Sequence, residues 1–437
     1  MYMNKKILFI AFSVISFQVV AQNVSFAEEI NSKIGNTYEN YQYCKDVEKI
    51  EALSYQKDRC LYEISPSDPE WSELTYLEQL EVCDMPEKFL NECSTWDLSE
   101  YVLEYPFLFD IYAFESTEQG INHLINTSNV CKEFFSRNDA KEVLLEKYDN
   151  LIVDYNLLSE EMDYIDDPLS QSGYDKELFL QSYFGNKIND LNSSEKEKLK
   201  GIISEKYEQK KGKCDEFATS FLIYDEIQKI GESIPNEIVA NNIANDLMAV
   251  YSDSSDGFTE FGSELFYVNE AVRKVGLYKK YGTSVGCYQY VSGDYTDKEI
   301  SNIDAKMHST HPTWIRILPA TKTYNCHSYA WLEQIVFNKY WIANPDFFAK
   351  SSSFNKIGAN CAAQDKDKII IDGLRFQQDG FGNTMQALHS VIVYSGGTNS
   401  SNIQTHSKLG SCGVYKASLG DMMNFYGGAT YRVYRKK

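Results

Sequence analysis

The chain has 437 residues and carries 42 Lys and Arg against 63 Asp and Glu, a net charge of −21. Hydrophobic residues make up 43% and aromatics 14% of it, enough for two or three packed domains and too many for a disordered chain. The acidic balance argues against a nucleic-acid binder. The charge is uneven: residues 293–437 hold 16 basic and 11 acidic side chains, whereas the preceding 292 residues hold 26 and 52. Opposite signs in two stretches point to separate modules, with the acidic one expected to dock on the basic one and screen its groove.

Residues 1–27 read as a signal peptide. Lys5 and Lys6 precede an apolar run from Ile7 to Val20, and both Val19-Val20-Ala21 and Ser25-Phe26-Ala27 fit a cleavage site. The run is short for a membrane span, so the expectation is a secreted or periplasmic chain with no membrane contact after cleavage. Ten cysteines in such a chain invite disulfides, and Cys44 with Cys60 and Cys83 with Cys93 are plausible local bridges.

Residues 28–165 form an acidic, cysteine-containing helical region, with a helical pattern over 139–148. Residues 166–292 read as a second helical region. Ser194 and Glu197 have capping-box spacing, and Leu199, Ile202, Ile203 and Tyr207 fall on one helix face. Further helices are expected through Phe217, Phe221 and Tyr224, then over 236–251 and 263–281. From residue 293 short β-type runs take over, at 313–318, 368–371, 388–394 and 429–434, with a helix over 326–338 before the last three. That order predicts a compact α+β domain over 293–437, a helix packed on a small antiparallel sheet. The stretch 344–386 reads as a long loop, a lid or surface insertion.

The chemistry concentrates in that last region, which also holds five of the six histidines. Cys326 stands where Asn325 can cap a helix whose stripe begins at Tyr329, Leu332, Ile335 and Val336. A thiol there has a lowered pKa, and its own backbone N–H is one of the unpaired donors of the first turn, available to an oxyanion. Asn325 and Tyr324 are the candidates for positioning that oxyanion. His389 alternates with Val391 and Val393 on a strand and is the candidate base. His406 is the first candidate to orient the imidazole, and Lys408 the second. Cys326, His389 and His406 are therefore the expected catalytic set, with no cofactor. No metal is expected either: His308 and His311 have helical spacing, but Pro312 discourages a helix there and no acidic or cysteine ligand stands beside them. His327 reads as a helix-face neighbour.

The segments Asn325-Cys326-His327-Ser328-Tyr329-Ala330-Trp331 and His389-Ser390-Val391-Ile392-Val393 resemble the NlpC-type branch of papain-like cell-wall peptidases and amidases. The likeness is to a secreted bacterial subgroup and covers about the last 130 residues. The chain departs from that subgroup at Leu409, where a Trp is usual. The resemblance implies hydrolysis or transfer at an amide of a peptidoglycan stem peptide, by Cys, His and a third polar residue in that chain order. A second cysteine context, Gly212-Lys213-Cys214-Asp215-Glu216, resembles the nucleophile segment of transglutaminase-like enzymes but lacks the later histidine in its context. The alternative function is a partner-binding helical protein whose papain-like domain is inactive or regulated.

Overall fold

A run of short helices opens the fold, four of them begun by a side chain that accepts a backbone N–H. The computed structural model describes residues 61–153, 168–210, 257–268, 271–290, 294–295, 297–332, 338–379 and 381–437. The expected signal peptide, Cys44, Cys60, the Cys214 segment and the helices expected around Phe221 and over 236–251 lie outside these residues. Helix α1 (Tyr76–Val82) starts at a reciprocal box between Thr75 and Glu78. It is followed by α2 (Glu87–Glu92), α3 (Thr95–Leu103, capped by Ser94), α4 (Thr117–Thr127, capped by Ser116), α5 (Asn129–Ser136, capped by Ser128) and α6 (Ala140–Asn150). Gly120 of α4 lies so close to Ile111, in the segment between α3 and α4, that a Cβ would fall 2.4 Å from the Ile111 Cα.

Two longer helices, α7 (Pro168–Lys187) and α8 (Ser193–Lys210), complete this layer. The box that opens α8 is Asn192 with Glu195, not Ser194 with Glu197: Glu195 N–H donates to Asn192 Oδ1 at 3.0 Å and Asn192 N–H to Glu195 Oε2 at 2.7 Å. Leu199, Ile202 and Ile203 are buried.

The helix expected over 263–281 is instead a hairpin. Strands β1 (Gly257–Val268), β2 (Ala271–Lys280) and β3 (Thr283–Tyr290) pair antiparallel in sequence order. Tyr281 and Gly282, with φ of 55° and 73°, form the two-residue turn from β2 to β3. Positive φ at both positions matches the twist of the strands it joins. Beyond it come α9 (Asp297–Thr310), β4 (Ile315–Leu318), α10 (Cys326–Trp331) and β5 (Tyr340–Ile342). Strand β3 pairs with β5 through Cys287 and Ile342, so residues on both sides of position 293 share one four-stranded sheet.

The second sheet has seven strands. After α11 (Asp346–Ala349) come β6 (Phe354–Ala359), β7 (Lys368–Gln378), β8 (Thr384–Ser395), β9 (Gln404–Lys408) and β10 (Val414–Ser418), then α12 (Leu419–Tyr426) and β11 (Thr430–Lys436). Their order across the sheet is β4-β10-β9-β8-β7-β11-β6, antiparallel throughout. The stretch 344–386 is therefore largely structured.

Alternation along the central strands divides the core in two. Ile369, Ile371, Val391, Val393 and Val433 face the helical layer and α12. Ile370, Ile392, Val414 and Tyr434 face α10 and the four-stranded sheet. The fold is mixed α+β, with the seven-stranded sheet as its middle layer. No helix among the described residues is long and apolar enough to cross a membrane.

An aromatic cluster joins the helical layer to the sheet. Phe425 of α12 lies 5.6 Å from Tyr76, 5.4 Å from Phe114 and 5.3 Å from Trp314, centroid to centroid. His311 stacks on Trp314 at 3.9 Å, and its Nε2 lies 3.0 Å from Asp110 Oδ1. Trp71 donates its indole N–H to Thr310 O at 2.9 Å. Apolar burial and this buried polar pair form the contact together with an ion pair between Lys306 and Asp175. Truncating Phe425 to Ala removes a fully buried ring from the junction. The variant should lose about 3–5 kcal/mol of unfolding free energy in a denaturant titration; a loss below about 1 kcal/mol would show that the junction is not a packed core.

Candidate active site

Asn325 organises the start of α10. Its Oδ1 accepts the Ser328 N–H at 3.0 Å, capping the helix, and also the Ile342 N–H at 3.1 Å. Its Nδ2 donates to Ile342 O at 2.9 Å and to Glu115 Oε1 at 2.5 Å. One side chain thus ties the helix to β5 and to the segment that leads into α4. The helix is short, six residues, so its dipole has little to offer the thiol.

Cys326 is its first residue and 2% exposed. The sulfur has two side-chain partners, Glu115 Oε1 at 3.6 Å and His327 Nδ1 at 3.5 Å. Burial, reinforced by the Glu115 carboxylate, holds the thiol well above its ordinary pKa; the Ser390 backbone N–H and the Lys408 charge act in the opposite direction. Cys326 is accordingly a protonated thiol near neutral pH, contrary to the lowered value expected from the sequence.

The imidazole on the sulfur belongs to His327. Its Nδ1 lies 2.8 Å from Ser390 Oγ, which also accepts the Trp331 indole N–H at 3.1 Å. Its Nε2 is buried without a hydrogen-bond partner and stands 3.6 Å from Glu115 Oε1. Burial pushes its pKa down to about 3, so the ring is neutral.

His389 points the other way. Ser390 faces α10, so alternation turns the preceding side chain toward the helical layer. There the ring stacks on Tyr426 at 3.8 Å, with Nε2 2.5 Å from Ser407 Oγ. Burial first, then the neighbouring His327 and Lys408, keep its pKa well below the ordinary value. The structure thus brings Cys326 together with His327 and Glu115, and His389 together with Ser407 and Tyr426. No hydrogen bond joins the sulfur to His389 among the described residues.

The remaining expected residues have other duties. His406 pairs in register with Ile392 and Lys416 and stacks on Tyr394 at 4.8 Å, so the group that meets His389 is Ser407. Tyr324 is fully buried in the core beneath α10, its ring 6.3 Å from that of Tyr329, which makes it a packing residue here. Lys408 is buried and donates to three backbone carbonyls, Thr321 O at 2.9 Å, Gly410 O at 2.6 Å and Cys412 O at 2.7 Å. It fixes the loops on either side of the site. His308 is exposed while His311 turns inward to Asp110, so the two do not converge on a metal.

Cys326 differs from the other buried thiols. Burial pushes Cys131 up to about 12 and carries Cys287 and Cys412 further in the same direction. Cys326 alone among the described cysteines belongs to a group with a histidine and a carboxylate. Cys83 and Cys93 are both buried, and no disulfide joins the two.

The residues that sequence reasoning missed are Glu115, Ser390 and Ser407. Glu115 stands 211 positions before Cys326, in a stretch with no local signature of chemistry. Ser390 and Ser407 are neighbours of expected residues, displaced to the other face of their strands. Compared with protein-family models, curated proteins and solved structures, the chain matches none.

Lys408→Met tests how the site is framed. Methionine fills similar space but removes the ammonium donor from three buried carbonyls, of which Cys412 O keeps the Thr321 N–H at 3.5 Å, so unfolding free energy should fall by about 2–4 kcal/mol in a denaturant titration. An unchanged midpoint would mean that those carbonyls find donors elsewhere.

Proposed function

We propose that the chain is an exported thiol hydrolase of amide bonds, held closed by its own helical layer, with peptidoglycan stem peptides as the substrate class. The observation that carries the reading is the setting of the Cys326 sulfur, with an imidazole at 3.5 Å and a carboxylate at 3.6 Å, where an inert core thiol would meet only apolar neighbours. The substrate class rests on the likeness of the residues around Cys326 and His389 to NlpC-type enzymes.

In this reading Cys326 is the nucleophile. His327, in contact with the sulfur, is the first candidate for its base. It takes the thiol proton as sulfur bonds to the carbonyl carbon, then returns it to the departing amine. Water cleaves the resulting thioester and frees the thiol. His389 serves this arrangement as a support: its bond to Ser407 and its stack on Tyr426 join β8, β9 and α12. Glu115 must leave the sulfur before a substrate carbonyl can approach it. The segment around it is tightly seated, since a Cβ on Gly410 would fall 2.4 Å from both Tyr112 O and Phe114 O.

A second reading is favoured by the closure itself. Cys326 and His327 are 2% and 0% exposed, which suits a chain whose helical layer binds a partner while the thiol stays out of reach. Hydrolysis of purified cell-wall peptides separates the two. Cys326→Ala should abolish release of new amines while leaving the unfolding midpoint unchanged. Full hydrolysis by that variant would end the hydrolase reading, and no turnover by either protein would favour the partner-binding one.

A further inference from the structure

Glu115, Cys326 and His327 together have the composition of a metal site. Each offers one ligand atom, and these atoms all lie within 4.8 Å of one another. A tetrahedral zinc site, with bonds of about 2.3 Å to sulfur and about 2.0 Å to nitrogen or oxygen, spaces sulfur and oxygen about 3.5 Å apart and nitrogen and oxygen about 3.3 Å apart. Here the sulfur is 3.6 Å from Glu115 Oε1, and His327 Nε2 is 3.6 Å from the same oxygen.

Two further observations point to a ligand. His327 Nε2 is a buried nitrogen with no hydrogen-bond partner, on a side chain 1% exposed, and it faces the carboxylate. A buried polar atom of that kind carries a desolvation cost that a metal ion would remove. The supporting contacts also have the form of an outer shell. Ser390 Oγ holds the opposite nitrogen of the ring at 2.8 Å, and Asn325 Nδ2 holds the carboxylate at 2.5 Å. Such partners fix ring orientation and carboxylate position in metal centres.

We propose that Glu115, Cys326 and His327 bind one divalent, thiophilic cation of the Zn²⁺ class, joining the helical layer to the start of α10. Sulfur, imidazole and carboxylate in one set select zinc or its neighbours over magnesium or calcium. Binding replaces the thiol proton, which leaves to solvent, with a sulfur–metal bond. Thiolate and carboxylate then neutralise the two positive charges within a buried site. The three protein ligands leave a fourth position for water or another small donor. The site stands on these three side chains whether or not the chain hydrolyses amides. If it does, the metal-loaded form is the closed one, because the cation occupies the nucleophile.

Cobalt makes the site visible. The full chain, stripped with a chelator, should take up one equivalent of Co²⁺ and develop sulfur-to-cobalt charge-transfer absorption with strong visible bands of a four-coordinate ion. Zn²⁺ should abolish both. Cys326→Ser should remove the charge transfer, and Glu115→Gln and His327→Gln should each weaken binding at least tenfold. Cys412→Ser, which alters another buried thiol, should leave the spectrum unchanged. The proposal is overturned if the charge-transfer band is missing in the wild-type chain, persists in Cys326→Ser, or keeps its affinity in Glu115→Gln. Because the readout is spectroscopic, Cys326-dependent hydrolysis without metal uptake would overturn this proposal alone.

Discussion

The Glu115 carboxylate reaches from the helical layer to the first turn of α10, where it accepts from Asn325 Nδ2, receives the Cys326 thiol and stands 3.6 Å from His327 Nε2. That reach depends on everything around it. Asn325 is set by β5, His327 by Ser390 on β8, and the Tyr112–Glu115 stretch by its close seat on Gly410. Burial first, and then the carboxylate, keep the sulfur a protonated thiol, and burial keeps the imidazole beside it neutral. A proton or a cation can occupy the space between them, and the choice sets whether the sulfur is a thiol or a metal ligand.

The sheet explains why two histidines that look equivalent in sequence have different surroundings. Along β8 the side chains alternate, so Ser390 meets α10 and His389 meets α12. Two neighbouring polar arrangements result: sulfur, imidazole and carboxylate around Cys326, and imidazole, hydroxyl and tyrosine ring around His389. Lys408 ties the loops at the end of this sheet through the carbonyls of Thr321, Gly410 and Cys412.

Much of this architecture was legible in the chain. Short β-type runs marked β4, β7, β8 and β11, and the Asn325 side chain marked the start of α10, because those signals are local. The face of β8 was not legible in the same way. Alternation says that His389 and Ser390 diverge, but which of them meets the helix depends on how the strand is seated, and a one-residue difference reverses the answer. The hairpin over 257–290 was hidden for a related reason. Its apolar spacing fits a helical stripe, and the Tyr281-Gly282 turn that decides against a helix lacks the usual Asn-Gly pair. Glu115 was invisible because nothing local distinguishes it among 63 acidic residues. The long-range packing of Phe114 on Tyr426 and Phe425 and its seat on Gly410 bring it to the sulfur.

The central claim is that a carboxylate from the helical layer governs the Cys326 thiol. The direct measurement is the rate at which iodoacetamide alkylates Cys326 near neutral pH in chelator-treated protein, read by peptide mass spectrometry for the wild-type chain and for Glu115→Ala. Removing the carboxylate lowers the thiol pKa and uncovers the sulfur, so the variant should react at least tenfold faster. Equal rates in the two proteins would contradict the account.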